Sequence, residues 1–182
     1  KTILKNVSVI TLYRIFIFSF INNHQKFVYN SFREKGGHLV KRKEQEFASL
    51  SDISIPAFGY ELIREDLLDE ILGQDKPDII YWAGKRLARK YPLFSIEEIY
   101  EFFANAGWGS LHLTKENRRN MTFALTGDLI HHRLYAKTNS CFRLEAGFLA
   151  EQIQNQKKVY AECMEEIDKK KSTIYFHVKW EK

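Results

Sequence analysis

The hydrophobic period of this chain changes three times, and that order of periods restricts the fold more than any single motif. Across residues 56–107 the apolar side chains recur at helical spacing. Pro56 suits a first helical position; Tyr60, Ile63, Leu67 and Ile71 form a stripe that Leu68 and Leu72 widen; Gly73 is a stop. That stripe is expected to face the core. A second helix is expected from residue 77 to about 91, burying Ile80, Ala83, Leu87 and Tyr91. A third opens at Ser95, where Glu98 completes a capping box and Phe94 is placed to staple onto Ile99. Ile99, Phe102 and Phe103 are expected inside, with Gly107 at the end.

The period then falls to two. Leu111 and Leu113, then Met121, Phe123 and Leu125, alternate with polar residues around a polar turn at residues 115–120, which predicts a hairpin. Residues 128–135 fit a short helix or a loop. From residue 141 to about 157, Phe142, Ala146, Leu149 and Ile153 restore helical spacing, and Gly147 marks a close approach by a neighbour. A second hairpin is expected from strands at about 158–167 and 173–180, joined by Asp168-Lys169-Lys170-Lys171. Ile174, Phe176, Val178 and Trp180 share one face of its last strand. Helices, hairpin, helix, hairpin is an α+β order: a four-stranded, mostly antiparallel sheet of two hairpins packed against four to five helices.

Charge separates this domain from what precedes it. Residues 1–39 hold Lys1, Lys5, Arg14, Lys26, Arg33 and Lys35 against Glu34 alone, an excess equal to the net +5 of the whole chain. The remainder is neutral and has no overall field to hold a polyanion, so nucleic acid is not an expected partner. Residues 2–21 are apolar apart from Lys5 and Arg14. A membrane anchor would suit that length, yet Arg14 near its centre would cost about 2.5–3.5 kcal/mol. Phe20-Ile21-Asn22-Asn23 lacks the small residues of a signal-peptide cleavage site. Lys35-Gly36-Gly37 can be encoded by a purine run resembling a bacterial ribosome-binding site, and Leu39 and Val40 by alternative start codons. The expectation is therefore a translated leader over residues 1 to about 38, with a membrane or targeting segment, or an integral part of the fold, as alternatives. Residues 40–46 read as a polar lead-in and residues 47–180 as one domain. Cys141 and Cys163 are too few for a disulfide framework or a four-cysteine zinc site, and a reducing cytoplasmic setting is expected.

Four stretches carry a resemblance. They are Gly59-Tyr60-Glu61-Leu62-Ile63-Arg64-Glu65; the run from Tyr81-Trp82-Ala83-Gly84 to Leu87-Ala88-Arg89-Lys90; Ala106-Gly107-Trp108-Gly109; and the run from Cys141-Phe142-Arg143-Leu144 to Glu151-Gln152-Ile153. Together they resemble the YslB-like family of Gram-positive bacteria, a domain of unknown function, over roughly residues 47–180. The resemblance implies the fold of 4-vinyl-reductase-type ligand-binding domains and of the small TRAPP vesicle-tethering subunits, and with it a domain that dimerises and can enclose an apolar ligand. Glu162-Cys163 is similar to a Glu-x-x-Cys-like element of the ligand-binding relatives, but the spacing differs and no site carries over.

The candidate residues follow from these readings. A catalytic cysteine needs a base beside it, and neither Cys141 nor Cys163 lies in a recognisable nucleophile signature; His112, His131, His132 and His177 are scattered. Adjacent His131 and His132 on a helix point about 100° apart and make a poor chelating pair. Glu145 and Glu151 fall on different faces of one helix and form no obvious acid–base pair. No catalytic residue, metal or cofactor is expected. Trp82, Trp108, Phe142, Phe148 and Cys163 are the candidates for a ligand pocket, with a filled core or a dimer interface as the plainer reading. Lys85, Arg86, Arg89 and Lys90 share one helix face at helical spacing and are the candidates for an interaction surface. The expected function is a non-catalytic cytoplasmic domain that binds a small apolar or amphipathic ligand as a homodimer, or acts as a protein adaptor through its basic helix face. No membrane contact is expected unless residues 1–21 are an anchor.

Overall fold

A computed structural model describes residues 53–136 and 140–181. The chain divides into two units, residues 1–54 and 55–182, and every element below belongs to the second. The readings of residues 1–39 and 40–46 lie outside the described residues.

The first helical run is α1 (Ala57–Glu61), a π-helical turn (Leu62–Leu67) and α2 (Leu68–Leu72), ended by Gly73 at φ 54°. A short 3-10 turn (Gly73–Asp75) leads into α3 (Lys76–Lys90), whose Pro77 occupies the first turn. Next comes α4 (Ile96–Asn105). The Ser95 side chain accepts from the Glu98 N–H as expected, while the Glu98 carboxylate accepts from the Phe94 N–H, one residue ahead of the cap. The staple does not: Ile99 is buried while Phe94 is 81% exposed, and Leu93 and Ile96 pack against the core instead.

Strands β1 (Ser110–Asn117) and β2 (Asn120–Thr126) form the first hairpin, tighter than the polar run suggested, with a bulge after Leu113. α5 (Asp128–Ala136) and α6 (Arg143–Lys157) follow, then β3 (Tyr160–Asp168) and β4 (Thr173–Glu181). The sheet order is β1-β2-β4-β3, with all three pairings antiparallel. The α+β class and the two hairpins are as expected.

The register puts Leu111, Leu125 and Ile174 in one row and Met121, Val178 and Cys163 in another, so the inner face of the sheet is continuous. α6 lies on that face and α3 lies on α6. Every residue of α6 from Glu145 to Ile153 is buried, as a helix between two layers must be. The crossing with α3 is tight enough to require two glycines. A Cβ at Gly84 would collide with the Leu144 carbonyl oxygen, and one at Gly147 with that of Tyr81. The close approach expected at Gly147 is therefore made by α3.

The buried face of α3 is turned by one residue from the expected one. Ile80, Tyr81, Gly84, Lys85 and Ala88 are buried, whereas Ala83 is exposed. The two-glycine crossing fixes this rotation, since only the Gly84 side can meet α6 so closely.

Candidate functional site

The first helical run is turned inside out. Ile63, Leu67 and Ile71 do share a face, but they are 60%, 50% and 66% exposed, with Phe58 at 70%. Glu61, Arg64 and Glu65 are buried instead. Two causes act together. The π-helical turn widens the winding between Leu62 and Leu67 and carries the line of apolar residues out of the expected register. The charged side chains find partners far along the chain. Arg64 Nη2 donates to both Glu145 oxygens at 2.6 Å, and its Nη1 donates to Tyr60 Oη at 3.0 Å. Arg133 Nε donates to Glu61 at 2.9 Å, while Lys76 reaches Glu65 at 3.3 Å and Asp69 at 2.5 Å. Burial opposes the charge of Arg64, yet Glu145 and Tyr60 hold its guanidinium above the ordinary arginine value. Paired and hydrogen-bonded, these charges can be buried; singly they could not.

A second polar cluster ties α3 to β3. The Glu162 carboxylate accepts from Lys85 Nζ at 3.0 Å, from Tyr160 Oη and from Tyr81 Oη; the Cys163 N–H donates to Tyr81 Oη at 3.2 Å. Lys85 Nζ also lies 5.2–5.7 Å from the ring centres of Tyr81, Trp82 and Tyr160. Arg143 covers the Tyr81 ring at 4.4 Å and pairs with Glu165 at 3.1 Å. Burial alone would raise the Glu162 carboxyl, but Tyr160, Tyr81 and Lys85 bring it below the ordinary range. The Tyr160 hydroxyl, bound to that carboxylate, is pushed up to about 12.

These clusters redistribute the expected site residues. Lys85 is 2% exposed and bound to Glu162, so it leaves the basic face. Arg89 is half-exposed and pairs with buried Glu151 at 2.7 Å. Arg86 and Lys90 remain exposed. Trp82 is 56% exposed and edge-on to Tyr81, not a core residue. Trp108 and Phe148 pack together, 5.4 Å apart and perpendicular, with Phe102 and Phe103 against both. Phe142 is also fully buried, under the Arg133 guanidinium. Cys163 is buried and its thiol is pushed well up by burial; burial raises Cys141 too, so neither favours the thiolate at neutral pH.

On the outer face of the sheet His177 stands between Thr122 (3.2 Å) and Glu166 (2.9 Å). The strands' backbone groups are engaged in the ladder, and the three side chains read as a cross-strand tie. Among the described residues no group of three His, Cys, Asp or Glu side chains could hold a metal ion. No helix among them is long and apolar enough to cross a membrane.

The fold is that of a known class. This chain matches the crystal structure of a vinyl-4-reductase family protein from Methanocaldococcus jannaschii at TM-score 0.58 and 19% identity, over 78% of this chain and 90% of that one. A trafficking protein particle complex subunit 3 from Naegleria fowleri is similar only at TM-score 0.36 and 11% identity, over 76% of this chain and 92% of that one. Residues 57–179 match the family described as "Protein of unknown function (DUF2507)", and the chain belongs to that family. It is 44% identical over 143 residues to "Uncharacterized protein YslB" of Bacillus subtilis (strain 168), covering 79% of this chain and 97% of that protein.

Proposed function

We propose that this is a binding domain without chemistry of its own, that it works as a homodimer, and that the outward face of its first helical run is the surface through which copies meet. The observation that carries this reading is the inversion itself. Phe58, Ile63, Leu67 and Ile71 face outward on a run anchored inward by ion pairs. An exposed apolar line of that length is a feature of interaction surfaces more than of free ones. Support for a non-catalytic role comes from the thiols of half-buried Cys141 and buried Cys163, both pushed up by burial, and from buried carboxylates already committed to arginine or lysine.

Trp108 and Phe148 pack against each other in the core and Phe142 is buried under Arg133, which moves weight from an enclosed apolar ligand towards a surface partner. Sedimentation velocity of the chain from about 1 to 100 μM, the range in which interfaces of modest area associate, tests this. A dimer that Leu67→Asp weakens by about 10-fold or more is the expected result. A wild-type monomer throughout that range, or a dimer indifferent to Leu67→Asp, would overturn the reading.

A further inference from the structure

The partners that seat the first helical run on the rest of the fold lie beyond Gly73 in the chain. Glu61 is bound by Arg133 on α5, Arg64 by Glu145 on α6, and Glu65 by Lys76 at the start of α3. Of the run's apolar side chains Tyr60 alone, among the described residues, packs against the core. The run is therefore seated by ion pairs on a body that begins after Gly73, and the body of a second copy offers the same seat. The seam is also incompletely paired. Buried Glu65 Oε1 on the run and buried Arg133 Nη1 on the body have no hydrogen-bond partner among the described residues, so both gain one from water on release. The link turns at Gly73, which takes φ 54° and ψ −135°. A Cβ there would meet nothing within 4 Å, so the backbone conformation alone calls for glycine. Three residues, Gly73–Asp75, make up the link, and Pro77 just after it cannot donate a helical hydrogen bond back to Gly73. Short links under strain favour exchange of a segment between copies.

We propose that the homodimer forms by exchange of this run. Opening at Gly73 lets the run of each protomer seat on the body of the other, so that Arg64 pairs with Glu145 of the partner subunit and Arg133 with the partner's Glu61. This rests on the homodimer reading above and names what holds the copies together. A two-fold exchange is reciprocal, so neither seat is left empty. The same ion pairs form in the closed protomer and in the exchanged dimer, and they do not choose between the two. Two other features do. The strain of the closed turn at Gly73 is relieved on opening. The outward line of Phe58, Ile63, Leu67 and Ile71 is left to solvent in one protomer and is covered only when copies meet.

Complementation of a buried pair tests the exchange. Arg64→Met leaves Glu145 buried without its partner, and Glu145→Met does the same to Arg64, whereas losing both charges at one seat leaves no orphan. The two single-variant proteins are unfolded in urea together, refolded as a mixture, and followed by sedimentation velocity and urea unfolding. In an exchanged heterodimer one seat holds the native pair and the other holds both substituted side chains. The mixture is expected to dimerise about 10-fold or more tighter than either variant by itself, and to unfold at higher urea. Gly73→Ala gives a second reading that does not depend on the pair. It penalises only the closed turn, so its dimer is expected to be about 10-fold tighter than wild type. A mixture that unfolds as the sum of its two components, or a Gly73→Ala dimer no tighter than wild type, overturns the exchange. If Leu67→Asp weakens the wild-type dimer while these tests fail, the homodimer reading stands and the exchange falls. A wild-type monomer throughout the concentration range removes both.

Discussion

Glu162 shows what a single side chain does in this fold. Its carboxylate gathers Lys85, Tyr81 and Tyr160, and through Tyr81 it touches the Cys163 backbone, so one residue of β3 holds α3 against the sheet edge. The folded carboxyl lies below its ordinary value, so its contribution to stability is present above the unfolded value of about 4.3 and is lost as pH falls through the folded one. The Tyr160 hydroxyl is raised, so its contribution is full below about 10 and is lost as pH climbs through about 12. Glu162→Gln is expected to lower stability by about 1 kcal/mol at neutral pH, a figure reduced for the carboxylate's partial exposure. Urea midpoints of the two proteins should differ by a constant amount above about pH 5 and converge as the pH drops; parallel curves down to pH 2 would show that Glu162 plays no such part.

At the scale of the element, the first helical run is held by charge and not by its apolar stripe. Arg64→Met leaves Glu145 buried without its partner and is expected to cost about 3 kcal/mol in denaturant unfolding. Salt should change that loss little, because buried pairs are poorly screened. The sequence made the stripe of Ile63, Leu67 and Ile71 legible, but not the direction in which it faces. That direction depends on Glu145 and Arg133, roughly 70 to 80 residues away, and on a π-helical turn that helical spacing cannot register. Where the informing contacts are local, the reading held: Ser95 caps α4 through Glu98, and Gly73 ends α2. On α3 the informative signal was Gly84, which pairs with Gly147 at the crossing; the rotation that buries Lys85 follows from it. The capping pair was legible and its staple was not, since Leu93 and Ile96 take the place against the core that Phe94 could have filled.

At the scale of the whole molecule, charge that cancels in total is separated in space. Outside residues 1–39 the chain is neutral, yet the first helical run is acidic on its exposed side and the end of α3 is basic. Composition reveals the neutrality and excludes a general polyanion-binding field; it carries no information on the separation, which comes from burying Arg64 and Lys85. Everything proposed for this molecule depends on the first run facing its apolar line to solvent within one protomer. Urea unfolding of Leu67→Ser, at protein concentrations dilute enough to be monomeric, measures that directly. Stability within about 0.5 kcal/mol of wild type is the expected result for an exposed position. A loss of about 2–5 kcal/mol, the range for truncating a core leucine, would contradict it.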